Sequence, residues 1–445
     1  MMTDLLFFAF YFILCLLILY ILSSRSPSFA LTFKQAALIF SIKVFTGCVY
    51  GYFFLHYYNG DDTWFFHAES LKEYALLKTD PLAFITQDIF KNGYTSNQFF
   101  TIFDSHNSFS KDLQDTLLIK LLAVFDVFSG GRYYVNVIFY NLFVFWGSYY
   151  LFLVVGKRYP EKMSVWFLLI FFFPPLLFWT SGIRKDGLSF ALLCGFICQM
   201  NALLNLSDKA KHFIFAMLIW ITLFLSRSFI GMSLIPVTIA WIWAKAVKRS
   251  ALAIYILASL IFTALFFATN FLSPSFNLPA KVAERQASFL NLSGGSYLPI
   301  DKLDGTFGSY LKILPEALNH IFVRPYPWEA VNLLYFFSFA EIAFFFAMLI
   351  WAIVKPSRNY KKFFNDPFIL SLIMLAFINY LIIGYTVPFM GAFIRYRSIF
   401  EIFFLIAVVN FIGYDFGFIK RIIAPKQIQS VKEPKLKRAT SIPVE

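Results

Sequence analysis

The chain has 445 residues, of which 59% are hydrophobic, 21% aromatic and only 14% charged, and its formal net charge is +13. Ordinary soluble domains carry about 25% charged residues, so this composition excludes a globular protein in water. It also excludes a nucleic-acid binder, because the lysines and arginines fall in short clusters between apolar runs and not along one basic face.

The apolar runs predict an all-α polytopic transmembrane helix bundle. Eleven spanning helices are expected, over 5–22, 36–56, 133–156, 163–181, 187–204, 213–225, 229–247, 252–272, 331–354, 368–386 and 399–414. A span needs about 20 apolar residues, so the shorter runs must be completed by tilt or by flanking residues. The first run has an acidic leader, Asp4, and reads as a retained helix instead of a cleaved signal. Segments 23–35, 157–162, 205–212, 245–251, 355–367 and 415–445 together hold 21 Lys+Arg against 6 Asp+Glu. That excess predicts a cytoplasmic carboxyl terminus and an outer amino terminus in a plasma (inner) membrane. The stretch 116–128, interrupted by Lys120 and Asp126, is expected to lie along the outer surface as an interfacial helix. Residues 1–419 then form the bundle, with outer loops at 57–132 and 273–330. Residues 420–445 have the composition of a disordered, basic cytoplasmic tail. Cys15, Cys48, Cys194 and Cys198 all lie in apolar runs, a pattern that offers neither a disulfide framework nor a metal pair.

The first chemically informative stretch is Gly60-Asp61-Asp62, where the second apolar run stops. Adjacent carboxylates at a membrane surface can serve as a general base, hold a divalent cation or cap a helix. If a helix follows, Asp62, Phe66 and Glu69 share one of its faces. Further along, Arg184 and Lys185 occupy the turn between the fourth and fifth spans, and Arg227 occupies the turn between the sixth and seventh. Arg324 opens the run RPYPWE, which also holds Trp328 and Glu329, and Arg395 and Arg397 lead into the last span. Basic residues at outer helix ends oppose the orientation trend. As a set they suit a lipid-linked phosphate, whose oxygens guanidinium groups bind through paired, charge-assisted hydrogen bonds. The alternative is that each arginine snorkels alone to water. Within the spans, Glu401 follows Arg397 by four residues and is expected to pair with it. Glu341 and Lys43 have no local partner and could pair with each other or line a polar path.

This arrangement resembles the GT-C superfamily of polytopic glycosyltransferases, which use sugars linked to polyprenyl phosphate and carry an acidic motif in an early outer loop. The resemblance rests on Gly60-Asp61-Asp62 after a membrane helix, the amphipathic segments that follow and the arginine-bearing outer turns. It implies that Asp61 or Asp62 acts as the base for an acceptor hydroxyl or holds a divalent metal such as Mg or Mn, while Arg184, Lys185, Arg227, Arg324, Arg395 and Arg397 bind the donor phosphate. Glu69, Trp328 and Glu329 are secondary candidates. Partners implied are the membrane lipid, a polyprenyl-linked donor and a glycan, lipid or protein acceptor. An additional helix precedes the acidic motif, a departure from the usual superfamily pattern. The chain is also similar in arrangement to arginine-dependent surface-polysaccharide polymerases and ligases, and a transporter or flippase for lipid-linked saccharides would use the same basic residues without reaction.

Overall fold

The computed structural model describes residues 2–414 apart from 27–28, 91–108, 207, 248, 273–275 and 293; the predicted tail at 420–445 lies outside the described residues. The described residues form helices and no strand. In chain order these are α1 (Met2–Arg25), α2 (Phe33–Tyr58), α3 (Asp61–Thr79), α4 (Pro81–Phe90), α5 (Phe109–Ser129), α6 (Tyr133–Arg158), α7 (Met163–Phe172), α8 (Pro174–Ser181) and α9 (Lys185–Asn205). There follow α10 (Lys209–Ser226), α11 (Ser228–Ala246), α12 (Ala251–Ala268), α13 (Leu278–Leu290), α14 (Phe307–Phe322), α15 (Leu333–Val354), α16 (Tyr360–Phe364), α17 (Pro367–Thr386) and α18 (Met390–Phe411).

Nine described helices are long and apolar enough to cross a membrane, namely α1, α2, α6, α9, α10, α11, α12, α15 and α17. The protein is therefore an all-α, multi-pass membrane protein. The bent pair α7–α8 makes a tenth span if counted as one, with an angle of 41° between its halves. Its bend has a local cause: Pro174 and Pro175 push Phe173 into an extended conformation, φ −62° and ψ 113°, and withhold the N–H groups a continuous helix needs. The eleventh predicted run corresponds to α18, which starts at Met390 and not at 399, so that Arg395 and Arg397 lie inside the helix. Three charges, Arg395, Arg397 and Glu401, are accommodated there because α18 packs among α17, α15, α14 and α8 and keeps them from lipid.

The two ends of the bundle are built differently. At one end the connections are tied by structural bonds: Arg158 clasps Asp366 at 2.7 and 3.3 Å, and the Lys162 ammonium donates to the carbonyls of Val409, Asn410 and Ile412 at 2.7, 3.1 and 2.6 Å. Those carbonyls end α18 and have no partner in their own helix, so Lys162 acts as its C-terminal cap. At the other end α3 and α5 pack together. Asp115 of α5 binds Lys185 at the start of α9, while Asp126 accepts from Asn136 in the first turn of α6 at 2.6 Å. Because α6 and α9 both start at this end, α5 lies along the surface and does not cross. The surface carrying α3, α5, α13 and α14 is called the site face below.

Candidate functional site

The chain reverses between α2 and α3 at Asn59 and Gly60, both in the left-handed region at φ 51° and 101°. Gly60 adopts this without a Cβ penalty. The first turn of α3 is then anchored: Trp64 donates to the Gly51 carbonyl at 2.9 Å and stacks on Tyr133 at 4.0 Å, and the Thr63 and Tyr133 hydroxyls meet at 2.7 Å. Asp61 and Asp62 occupy the first two helical positions and make no capping bond to the backbone, so the capping alternative does not apply. Their carboxylates turn instead to Arg184, which donates to Asp61 at 2.7 Å and also binds Asp62 and the Tyr50 hydroxyl.

Arg395 reaches the same Asp62 oxygen at 3.3 Å, so Asp62 bridges two guanidinium groups while its side chain stays 51% exposed. Burial raises the Asp62 carboxyl, but Arg184 and Arg395 more than offset this and hold it below its ordinary value. Arg395 also lies 3.6 Å from Asp186, whose other oxygen accepts from Arg227 at 2.6 Å. Tyr396 accepts from Arg395 at 2.8 Å and lies under Arg227 at 5.0 Å. Asp61, Asp62, Arg184, Lys185, Arg227 and Arg395 therefore converge at the site face from four places far apart in sequence. Asp186, Asp115, Tyr50 and Tyr396 belong to the same network and carried no isolated sequence signal; only their contacts reveal them.

The remaining predicted residues lie elsewhere. Arg395 and Arg397 are two positions apart on α18, about 200° around the helix, and so face opposite sides. Arg397 is buried against Glu341 at 3.4 Å, Ser338 at 2.7 Å and the Arg324 carbonyl at 2.6 Å. The expected Arg397–Glu401 pair is thus corrected to Arg397–Glu341, since helix side chains lean toward the N terminus and carry the long guanidinium away from residue 401. The pairing of Glu341 with Arg397 also replaces the expected pairing of Glu341 with Lys43. Arg324 pairs with Glu329 at 3.3 Å, a local contact set by the turn that holds both. Trp328 is 74% exposed and, among the described residues, stacks on Tyr326. Glu69 is turned to Lys72 at 2.6 Å, because about two further turns along α3 from Asp62 carry it past Arg184. None of these five joins Asp62 by contact.

Asp61 and Asp62 do not fit a metal centre as they stand. Magnesium or manganese wants about six oxygen ligands in near-octahedral geometry, whereas here one guanidinium already takes an oxygen of each carboxylate. No group of three or more His, Cys, Asp or Glu side chains assembles among the described residues.

Arg285, which carried no signal in the sequence, lies in the same 273–330 segment as Arg324. It sits over Phe229 at 4.8 Å from the ring centroid, and Arg227 sits over the same ring at 6.0 Å. Among the described residues, Arg184, Lys185, Arg227, Arg395 and Arg285 thus stand close to Asp61, Asp62, Asp115 and Asp186.

The close fit beneath Arg184 yields an expected result. A Cβ on Gly182 would lie 2.3 Å from the Tyr50 ring, so Gly182→Ala must push aside the tyrosine that braces Arg184. Overpacking of this kind costs about 1–3 kcal/mol, read as a lowered unfolding temperature of the purified protein. An unchanged transition would mean that Tyr50 yields freely.

Comparison of the chain with models of known protein families, with curated proteins and with solved structures finds no match.

Proposed function

We propose that this protein is a membrane glycosyltransferase of GT-C-like arrangement, transferring a sugar or oligosaccharide from a polyprenyl phosphate or pyrophosphate carrier to an acceptor glycan, lipid or protein. The carrying observation is Asp62, a half-exposed carboxylate bridging Arg184 and Arg395 at one face of a membrane bundle. The basic loops favour a plasma membrane with the site face outward and the carboxyl terminus cytoplasmic.

In the resting arrangement Asp62 is a weak base, since both neighbouring charges hold its proton affinity down. A donor phosphate entering the site competes for Arg184 and Arg395. As it takes those guanidiniums, the carboxylate is released and its proton affinity rises. The acceptor hydroxyl then loses its proton to Asp62 while its oxygen bonds to the anomeric carbon. The bond from that carbon to the phosphate oxygen breaks, and the departing phosphate keeps the electron pair under the arginine charges. Protein chemistry is confined to placement, one proton and charge.

A flippase would rely on the bent pair α7–α8 and the charges buried within the spans; the half-exposed Asp62 with its two arginines lies at helix ends instead and favours transfer. An arginine-dependent polymerase or ligase fits the basic residues but leaves Asp62 without a role. In cells, the double substitution Asp61→Asn/Asp62→Asn with normal membrane insertion should accumulate lipid-linked sugar precursor. Undiminished glycan output from that variant would sink the proposal.

A further inference from the structure

A cleft of about 1230 Å³ lies between α11, α12 and α17, with α13 and α14 across one end. Along α12 it is lined from Leu252 to Phe267 and along α17 from Leu370 to Tyr385. Fifteen helical steps make each wall about 22 Å long, most of the roughly 30 Å hydrocarbon thickness of a bilayer. Leu260, Leu265 and Phe377 line it and are exposed at the protein surface, so the cleft opens sideways where lipid would surround the bundle. Its volume exceeds the roughly 300–1,000 Å³ of usual small-molecule sites.

The end of this cleft at the site face is cationic. Arg285 lines it from α13, beside Lys281. The orientation of Arg285 is fixed by its neighbour Gln286, a buried side chain that donates to the carbonyls of Tyr385 and Asp301 at 2.9 and 3.0 Å and accepts from the Leu303 amide at 2.8 Å. Those three bonds lock the rotation of α13. Arg285 itself has no acidic partner among the described residues, and its buried Nε has no hydrogen-bond acceptor. Its guanidinium contacts the rings of Phe229 and Phe289 at 4.8 and 5.7 Å. Burial lowers its proton affinity from the ordinary value, a cost that an anion beside it would offset. A held but unpaired guanidinium at the mouth of a long apolar cleft is complementary to an amphiphile with one anionic head.

We infer that the cleft between α11, α12 and α17 binds a lipid with a long apolar chain and a phosphate or pyrophosphate head, and that Arg285 receives the head. This deepens the transferase reading, on which the identity of the lipid as donor rests. Arg285 and Arg227 share the Phe229 ring, so the head lies next to the network that contains Asp62. The chain enters sideways from the bilayer and its phosphate comes to rest beside Arg227 and Arg395.

The test is binding of radiolabelled hexadecyl phosphate to the full-length protein in nanodiscs of zwitterionic phospholipid, with hexadecanol and inorganic phosphate as comparisons. Saturable binding of hexadecyl phosphate is expected. Arg285→Gln should weaken it about tenfold to hundredfold, the loss of one charge-assisted contact, and Arg285→Lys should weaken it less. Ser259→Trp, which fills the cleft at a lining position, should abolish it without touching the head site. Hexadecanol should bind weakly and indifferently to Arg285→Gln, and inorganic phosphate should fail to compete. Equal binding by the wild type, Arg285→Gln and Ser259→Trp would overturn the inference and leave ordinary bilayer lipid in the groove. Full competition by inorganic phosphate would overturn it in favour of a bare anion site. Binding involves no transfer, so Arg285-dependent binding in a protein without transferase activity would remove the functional proposal alone, and transfer without such binding would remove this inference alone.

Discussion

Asp62→Asn is expected to lower the rate of glycosyl transfer by about two to four orders of magnitude, the usual contribution of a positioned general base. Asn keeps the shape of the side chain and one acceptor oxygen, so insertion and packing of α3 through Thr63 and Trp64 should persist. Asp61→Asn should cost less, because Asp61 touches Arg184 but not Arg395. The pH dependence carries a second, sharper consequence. The base must be deprotonated, so the rate falls as pH falls through its titration. For kcat/KM, which reports the free enzyme, that acidic limb should lie below the ordinary carboxylate range, since Arg184 and Arg395 overcome the effect of burial. For kcat, which reports the loaded enzyme, it should lie higher, because the donor phosphate has taken the guanidiniums. Identical limbs for both parameters, or a larger loss from Asp61→Asn, would remove Asp62 from the role. The same ion pairs stabilise the fold at pH above the ordinary carboxylate range, and that contribution is lost as pH falls through the lowered folded value.

Arg397→Met should destabilise the protein by about 3–5 kcal/mol, the cost of leaving a buried ion-pair partner uncompensated. Both members are inside the bundle, with side chains 2% and 3% exposed. Arg397 also holds Ser338 and the Ile321 and Arg324 carbonyls, and so ties α18 to α15 and to the end of α14. Adding Glu341→Gln to Arg397→Met removes the orphaned charge and should recover part of the loss, whereas two independent surface residues would simply add. Thermal unfolding of the purified single and double variants measures this directly. A single variant as stable as the wild type would show that the pair contributes nothing. Because Arg397 does not touch Asp62, the folded fraction of Arg397→Met should retain KM close to that of the parent, which separates it from Arg395→Met.

By itself the sequence determined the all-α membrane bundle, most span positions and the surface placement of 116–128. Those follow from hydropathy over about 20 residues and from charge clustering, which are properties of short contiguous windows. The same windows marked Asp61, Asp62, Arg184, Lys185, Arg227 and Arg395 as unusual, each a charge at the end of an apolar helix. Only tertiary structure decided which of them meet. Arg395 and Arg397 look equivalent along the chain, yet the 100° turn per residue sends one to Asp62 and the other to Glu341. Arg285 and Asp186 gained meaning from neighbours more than 40 positions away, because a side chain's partners are fixed by how helices pack and rotate against one another, and sequence spacing records only the contacts within a single helix.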